Sequence, residues 1–263
     1  MGEIVSILSQ KGGVGKTTTA VNLSASLAIL NQKVLLIDMD PQGHISTSFG
    51  YAKYDVKGSI DEAIFDSKNI QELIHKTPIE NFDFIPYVND IGDGERNYFI
   101  SPLKEAKLKK VLSELKSSYD FIFIDNPPTL NNVTSHALIA SDSVIVPIQC
   151  EFYALKALGS LLKEIRTIKN TYNPNLKYRG FLLTMMDLRN NLSKRVMTKV
   201  RQTLKELVYN TMIPRNIRLA EVPYYGKPAI MIDKAAKGST SYLDLAREFL
   251  SQNGTIASKL ATN

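Results

Sequence analysis

The sequence predicts an α/β fold, a doubly wound and mostly parallel sheet with helices on both faces. Three observations predict it. Short runs of Val, Ile, Leu and Phe alternate with helical patterns along all 263 residues, as parallel strands buried on both faces require. Residues 10–18, Gln-Lys-Gly-Gly-Val-Gly-Lys-Thr-Thr, follow the first apolar run and lead straight into a helical pattern. Two further apolar runs end in acids, Asp38 and Asp125. In such sheets ligands sit beyond the carboxyl ends of the strands, and these three strand ends meet at one edge.

The elements follow in order. Ile4-Val5-Ser6-Ile7-Leu8 marks a strand over 3–8, and a helix over 16–31 begins at the end of the glycine loop. A strand over 33–38 precedes two short helical patterns, 59–65 and 69–76. A strand over 82–86 leads to a lysine-rich helix over 103–117, where Leu108, Val111, Leu112 and Leu115 recur at helical spacing. Strands over 120–125 and 143–148 flank a helix over 131–139. A long helix over 154–171 then precedes a strand over 179–185. A helix over 192–206, a strand over 208–213 and a helix over 239–251 complete the set. Without a linker, repeat or low-complexity segment, residues 1–263 read as a single domain. The small, polar residues 252–263 read as a frayed tail.

The glycine loop carries the most chemistry. Without Cβ atoms, Gly12, Gly13 and Gly15 let backbone N–H groups turn inward, so that the loop from Lys11 through Val14 to Thr18 can wrap phosphate oxygens. The helix starting near Lys16 adds N–H donors and the positive end of its dipole. The Lys16 ammonium reaches β- and γ-phosphates, and the Thr17 hydroxyl is placed to ligate Mg²⁺. An incidental glycine-rich turn would need neither the strand before it nor the helix after it. The loop departs from the common pattern where Gln10 replaces the first glycine and a second lysine, Lys11, follows. Lying one residue before the glycine turn, Lys11 need not face its own nucleotide. Two subunits meeting across their ATP edges would bury several phosphate charges, and a lysine from each side would offset that cost. This predicts an ATP-dependent homodimer.

Phe-Ile-Phe-Ile-Asp at 121–125 is a buried strand ending in an acid, so Asp125 is the expected holder of Mg²⁺ through a bound water. In Leu35-Leu36-Ile37-Asp38-Met39-Asp40-Pro41-Gln42-Gly43, Asp38 and Asp40 are two apart and share a face in an extended chain. Asp40 is the candidate acid that orients attacking water. The catalytic set is therefore Lys11, Lys16 and Asp40. The competing readings are a helix-capping Asp125 and an Asp-Pro turn residue at Asp40.

Composition narrows the class. No apolar run approaches the ~20 residues of a membrane-spanning helix. The single cysteine, Cys150, excludes an internal disulfide framework and any paired-cysteine metal motif, and three scattered histidines offer no zinc spacing. No secretory signal is legible at the N-terminus. The formal net charge is +6, and residues 185–248 alone hold twelve Lys/Arg against six Asp/Glu. A basic C-terminal third points to a polyanionic partner, either nucleic acid or an acidic membrane surface, unless it is only a solvated helical face. A dimer would double the released counterions, so DNA binding would be salt-sensitive and indifferent to sequence. Beyond the positions named below, Lys194, Lys199, Arg201, Lys227, Lys234, Lys237 and Arg247 are candidate contacts. Tyr224 and Tyr225 read as packing around Pro223 rather than stacking on bases.

The lysine pair marks the deviant Walker group. With DMDPQG (38–43), IDNPP (124–128), PIQCEFYAL (147–155) and IPRNIRLAEVPYYGKP (213–228) in register, the chain resembles the ParA/Soj chromosome-partition ATPases from residue 3 to about residue 250. The resemblance implies two subunits sandwiching two ATPs, with Lys11 reaching the partner's nucleotide. It implies Lys16 and Thr17 on phosphate and Mg²⁺, Asp40 as hydrolytic acid, and Pro214, Arg215 and Asn216 against adenine. It implies that Arg189 and Arg218 contact double-stranded DNA, and that a ParB-type centromere-binding protein stimulates hydrolysis. A cytoplasmic, nucleoid-associated protein follows. Asn126 stands where Cys is common, Lys156 where an acid is frequent, and His44 where Asn is common. Residues 129–133 lack the usual glycine.

The nearest rival is a membrane-cycling ATPase of the MinD type, which needs a terminal amphipathic helix. Gln252–Ser258 is too polar and small for one, so no membrane partner is expected. An iron–sulfur reductase on the same loop needs two cysteines per chain, and a tyrosine kinase would favour a tyrosine-rich tail. A non-hydrolysing binding module would release no phosphate even with DNA and partner present.

Overall fold

The structure is a computed structural model. It describes residues 2–52, 55–56, 58–66, 68–88, 102–151 and 154–260, with backbone alone at 102–106 and 253–260. Phe152 and Tyr153 of the 147–155 motif lie outside the described residues.

Among the described residues seven strands form one sheet: β1 (Glu3–Ile7), β2 (Val34–Asp38), β3 (His75–Lys76), β4 (Phe82–Ile85), β5 (Phe121–Asp125), β6 (Ser143–Gln149) and β7 (Lys177–Thr184). Their order is β3-β4-β2-β5-β1-β6-β7, parallel except for the β3–β4 pair. The expected sheet is therefore present. Its central strands are buried on both faces, which explains their unbroken apolar runs.

The helices before the sixth strand are α1 (Lys16–Ile29), α2 (His44–Ser48), α3 (Ile60–Phe65), α4 (Pro102–Leu115) and α5 (Asn132–Ala140). After it come α6 (Ala154–Thr171), α7 (Asn191–Leu204), α8 (Ile217–Ala220), α9 (Val222–Tyr225), α10 (Ala229–Ile232) and α11 (Lys237–Leu260). One face of the sheet carries α1, α2 and α8–α11, with Tyr242, Leu245, Ala246 and Phe249 of α11 packed at helical spacing. The other face divides into two clusters. Leu158, Leu161, Ile165 and Ile168 of α6 pack with Val196 and Val200 of α7, while α3 and α4 cover β2, β4 and β5.

The short helices α2 and α8–α10 had no counterpart in the sequence reading, and three predicted segments turn out differently. Residues 69–76 form no α-helix. Ile70–Leu73 is a short 3₁₀ turn capped by the Asn69 side chain, and His75–Lys76 turns into β3. Thr77 precedes Pro78, which disfavours helical backbone there, and Lys76 gains an ion pair with Asp83 across the strands. Residues 208–213 are not a strand. Tyr209 N and Ile213 N donate to β7, but Asn210 N and Thr211 N are taken by the Glu248 carboxylate at 2.7 and 2.8 Å. Its ladder pairing with β7 is confined to an isolated bridge between Val208 and Phe181. Finally, α11 continues to Leu260 instead of fraying from Gln252.

Candidate functional site

The glycine loop leaves β1 between β5 and β6, where the strand order reverses direction. Gly13 and Gly15 have left-handed backbone, φ 71° and 87°, which a side chain would strain. A Cβ built on Gly12, Gly13 or Gly15 would meet nothing within 4 Å, so the rim faces open space. Below it Val14 is buried, and its carbonyl accepts a 2.8 Å hydrogen bond from the Thr184 hydroxyl at the end of β7. The helix begins at once, with Thr19 N donating to Gly15 O.

Lys16 is 7% exposed and its ammonium lies in the field of Asp125 and Asp40. Burial lowers its pKa, and the two carboxylates oppose that shift. Asp125 is buried at the end of β5, with the Thr17 hydroxyl beside it. Burial pushes its carboxyl up to about 7, against the pull of Thr17 and Lys16. Its Oδ1 is buried with no hydrogen-bond partner. A carboxylate oxygen left in this way, beside a threonine hydroxyl at the mouth of a phosphate loop, fits a divalent cation held through water. Thr17 and Asp125 are the residues that would hold it.

Asp38 and Asp40 divide their roles. Asp38 is fully buried and accepts from Asp40 N at 3.0 Å and from Ile45 N at 3.2 Å, which shapes the turn and starts α2. Burial, followed by the nearby Asp125, raises its pKa well above the usual carboxylate range. Asp40 Oδ1 accepts from Gln42 N at 3.0 Å, so Asp40 also closes its own turn while facing Lys16.

Lys11 leaves the loop sideways. Its ammonium pairs with Glu151 and donates to Gln149 Oε1 at 3.3 Å. Neither partner was legible as such, since both lie 138 or more residues away in sequence. Thr184 was likewise missed, because a threonine at a strand end carries no signature. Pro214 bridges Met186 just past β7, and Arg215 N donates to Met186 O. This brings 214–216 to the same sheet edge as the glycine loop. The Asn216 side chain caps α8 by accepting from Arg218 N.

The basic candidates do not form one stripe. Lys199 lies on α7 and Lys237 and Arg247 on α11, on opposite faces of the sheet. Arg189 is held by Asp187 through two 3.0 Å bonds, Arg218 by Glu221 at 2.8 Å, and Arg247 by Asp244 at 3.0 Å. Arg201 donates to the carbonyls of Tyr209 and Asn210, a structural role. Lys194, Lys199, Lys227, Lys234 and Lys237 are exposed. Tyr224 is 85% exposed, its ring edge-on to Tyr225, so it does not pack as the sequence reading expected.

Residues 2–178 match the AAA domain family. The chain is 44% identical over 248 residues to the sporulation initiation inhibitor protein Soj of Bacillus subtilis, covering 94% of this chain and 98% of Soj. It is 43% identical over 253 residues to the chromosome partitioning protein ParA of Myxococcus xanthus, covering 96% and 89%. This chain belongs to the ParA/Soj family of partitioning ATPases. Among solved structures it resembles cobyrinic acid a,c-diamide synthase of Mycobacterium smegmatis with bound ADP and magnesium. The TM-score is 0.79 at 31% identity, covering 94% of this chain and 93% of that one. It also resembles the septum site-determining protein MinD of Pyrococcus horikoshii with Mg-ADP. Here the TM-score is 0.75 at 27% identity, covering 94% and 96%.

Proposed function

We propose that this ParA/Soj-family chain binds ATP with Mg²⁺ and hydrolyses it slowly, and that its ATP-bound form is a twofold dimer that grips DNA without reading sequence. The observation that carries the reading is the meeting, at one sheet edge, of buried Lys16, the Thr17–Asp125 pair with its unpartnered oxygen, and Asp40. Gly12–Thr18 supply backbone donors to the phosphates, and Lys16 neutralises charge on the β- and γ-oxygens. Thr17 and Asp125 would hold Mg²⁺, which would supply further positive charge beside the phosphates. Asp40 orients the attacking water. Pro214–Asn216 lie against adenine. Lys11 crosses to the partner's nucleotide.

In this reading, closing two subunits doubles the scattered cations available to DNA phosphates, among them Arg189, Lys199, Arg218, Lys227, Lys237 and Arg247. A ParB-type partner accelerates hydrolysis and releases the dimer, and the protein resides on the nucleoid. The deciding experiment measures DNA binding of the wild type and Asp40→Ala with ATP and with ADP over a salt series. We expect binding only with ATP, persistent in Asp40→Ala, and a steep fall with salt. Equal binding in ATP and ADP would overturn the dimer switch.

The MinD-type reading is favoured by one observation, the helical backbone running on to Leu260. Pelleting with anionic vesicles and ATP separates the two. Vesicle-bound protein that fails to shift DNA would select the membrane cycle.

A further inference from the structure

We propose that Glu151 is a positioning residue that parks Lys11 within its own subunit and so sets the threshold for ATP-driven pairing. The inference rests on the reading of Lys11 as the lysine that serves the partner's nucleotide.

The geometry carries it. Lys11 sits at the entrance of the glycine loop, beside a cleft lined by Gln10, Val14, Pro147, Gln149 and Leu158. Its ammonium is held by two groups from the end of β6. Glu151 pairs with it, and Gln149 Oε1 accepts from it at 3.3 Å. Gln149 in turn donates its amide to the other Glu151 oxygen, so the three side chains close a small network. Gln149 is the register partner of Thr184, which bonds the Val14 carbonyl on the far side of the loop. Two neighbouring strand ends thus hold the loop, one by its backbone and one by its outlying lysine.

A lysine committed to Glu151 does not reach across to a second subunit. Pairing must therefore exchange a carboxylate for a phosphate as the lysine's partner. The Lys11 and Glu151 side chains are 41% and 50% exposed, so their bond is weak enough to be exchanged. A buried pair would lock the lysine permanently. Glu151 thus works as a graded brake and contributes nothing to nucleotide affinity in the isolated subunit.

The test is sedimentation of Asp40→Ala protein with ATP and magnesium, alone and combined with Glu151→Gln, with Lys11→Ala, and with both. Breaking two exposed ion pairs per dimer corresponds to a dissociation constant lowered about three- to tenfold by Glu151→Gln. In the Lys11→Ala background the same substitution should change nothing, because the brake acts only through the lysine. An unchanged or weaker dimer with Glu151→Gln overturns the proposal. So does equal strengthening without Lys11, which would indicate simple removal of repulsion between subunits. If Lys11→Ala alone pairs as well as its parent, the reading of Lys11 fails as well. Pairing by Asp40→Ala that needs Lys11 but ignores Glu151 sinks the brake alone.

Discussion

Asp38 and Asp125 stand side by side as register partners at the carboxyl ends of β2 and β5, both buried. Burial raises the pKa of each above the ordinary value, Asp125 to about 7, and Asp125 raises Asp38 further. Between the unfolded and folded values the native chain binds more protons than the unfolded one, so stability falls as pH rises through that window. We expect the melting temperature of the protein, without nucleotide or magnesium, to fall from about pH 5 to about pH 7.5 on account of this pair. Asp125→Asn should flatten that slope. A slope unchanged by the substitution would place the protons elsewhere.

The Thr184 hydroxyl supports the loop from below through the Val14 carbonyl. Thr184→Val leaves that buried carbonyl without its donor, at a cost of about 1–3 kcal/mol in urea unfolding. ATP binding should weaken as well, because the loop loses its floor, and Thr184→Ser should restore both. Titration with a fluorescent ATP analogue reads the second effect.

Arg189 is held by Asp187, whose pKa the guanidinium lowers to about 2. An arginine already paired has less charge to offer phosphate. Asp187→Asn should therefore strengthen ATP-dependent DNA binding severalfold and Arg189→Ala should weaken it. Anisotropy at fixed salt measures both. Opposite signs for the two substitutions are the expected signature.

Arg179 is buried beneath α11. It donates to Phe249 O at 2.8 Å, pairs with Glu3 at 3.4 Å and lies 4.0 Å over the Phe249 ring. Arg179→Ala should cost about 3–5 kcal/mol in urea unfolding, and Arg179→Met should recover part of it by refilling the space.

The parallel sheet and the nucleotide edge were legible because each strand buried on two faces writes itself as an apolar run, and the loop and the acids fall at the ends of such runs. Part of what went unread depends on partners distant in sequence. Glu248 takes the donors that would have made 208–213 a strand. The helix α2 exists because Asp38 accepts from Ile45 N and Gly43 turns left-handed. Lys11 was legible as unusual, but its engagement by Gln149 and Glu151 was not, since nothing local in the chain announces a contact across the sheet edge. The charge excess after residue 185 was legible as a total. Which cations are already matched by Asp187, Glu221 or Asp244, each only two or three residues away, depends on side-chain geometry that a charge total does not carry.

The first helix rests on the last part of the chain. Thr19 shares a 3.0 Å hydrogen bond with the Tyr242 hydroxyl, and Asn22 Oδ1 accepts from Ala229 N at 2.9 Å. Both far partners, Tyr242 and Ala229, lie beyond the stretch matched to the AAA domain family, which ends at residue 178. That stretch is consequently no separable cassette. A chimaera that took its C-terminal third from a cousin would inherit a new foundation for its nucleotide cradle along with a new cationic exterior.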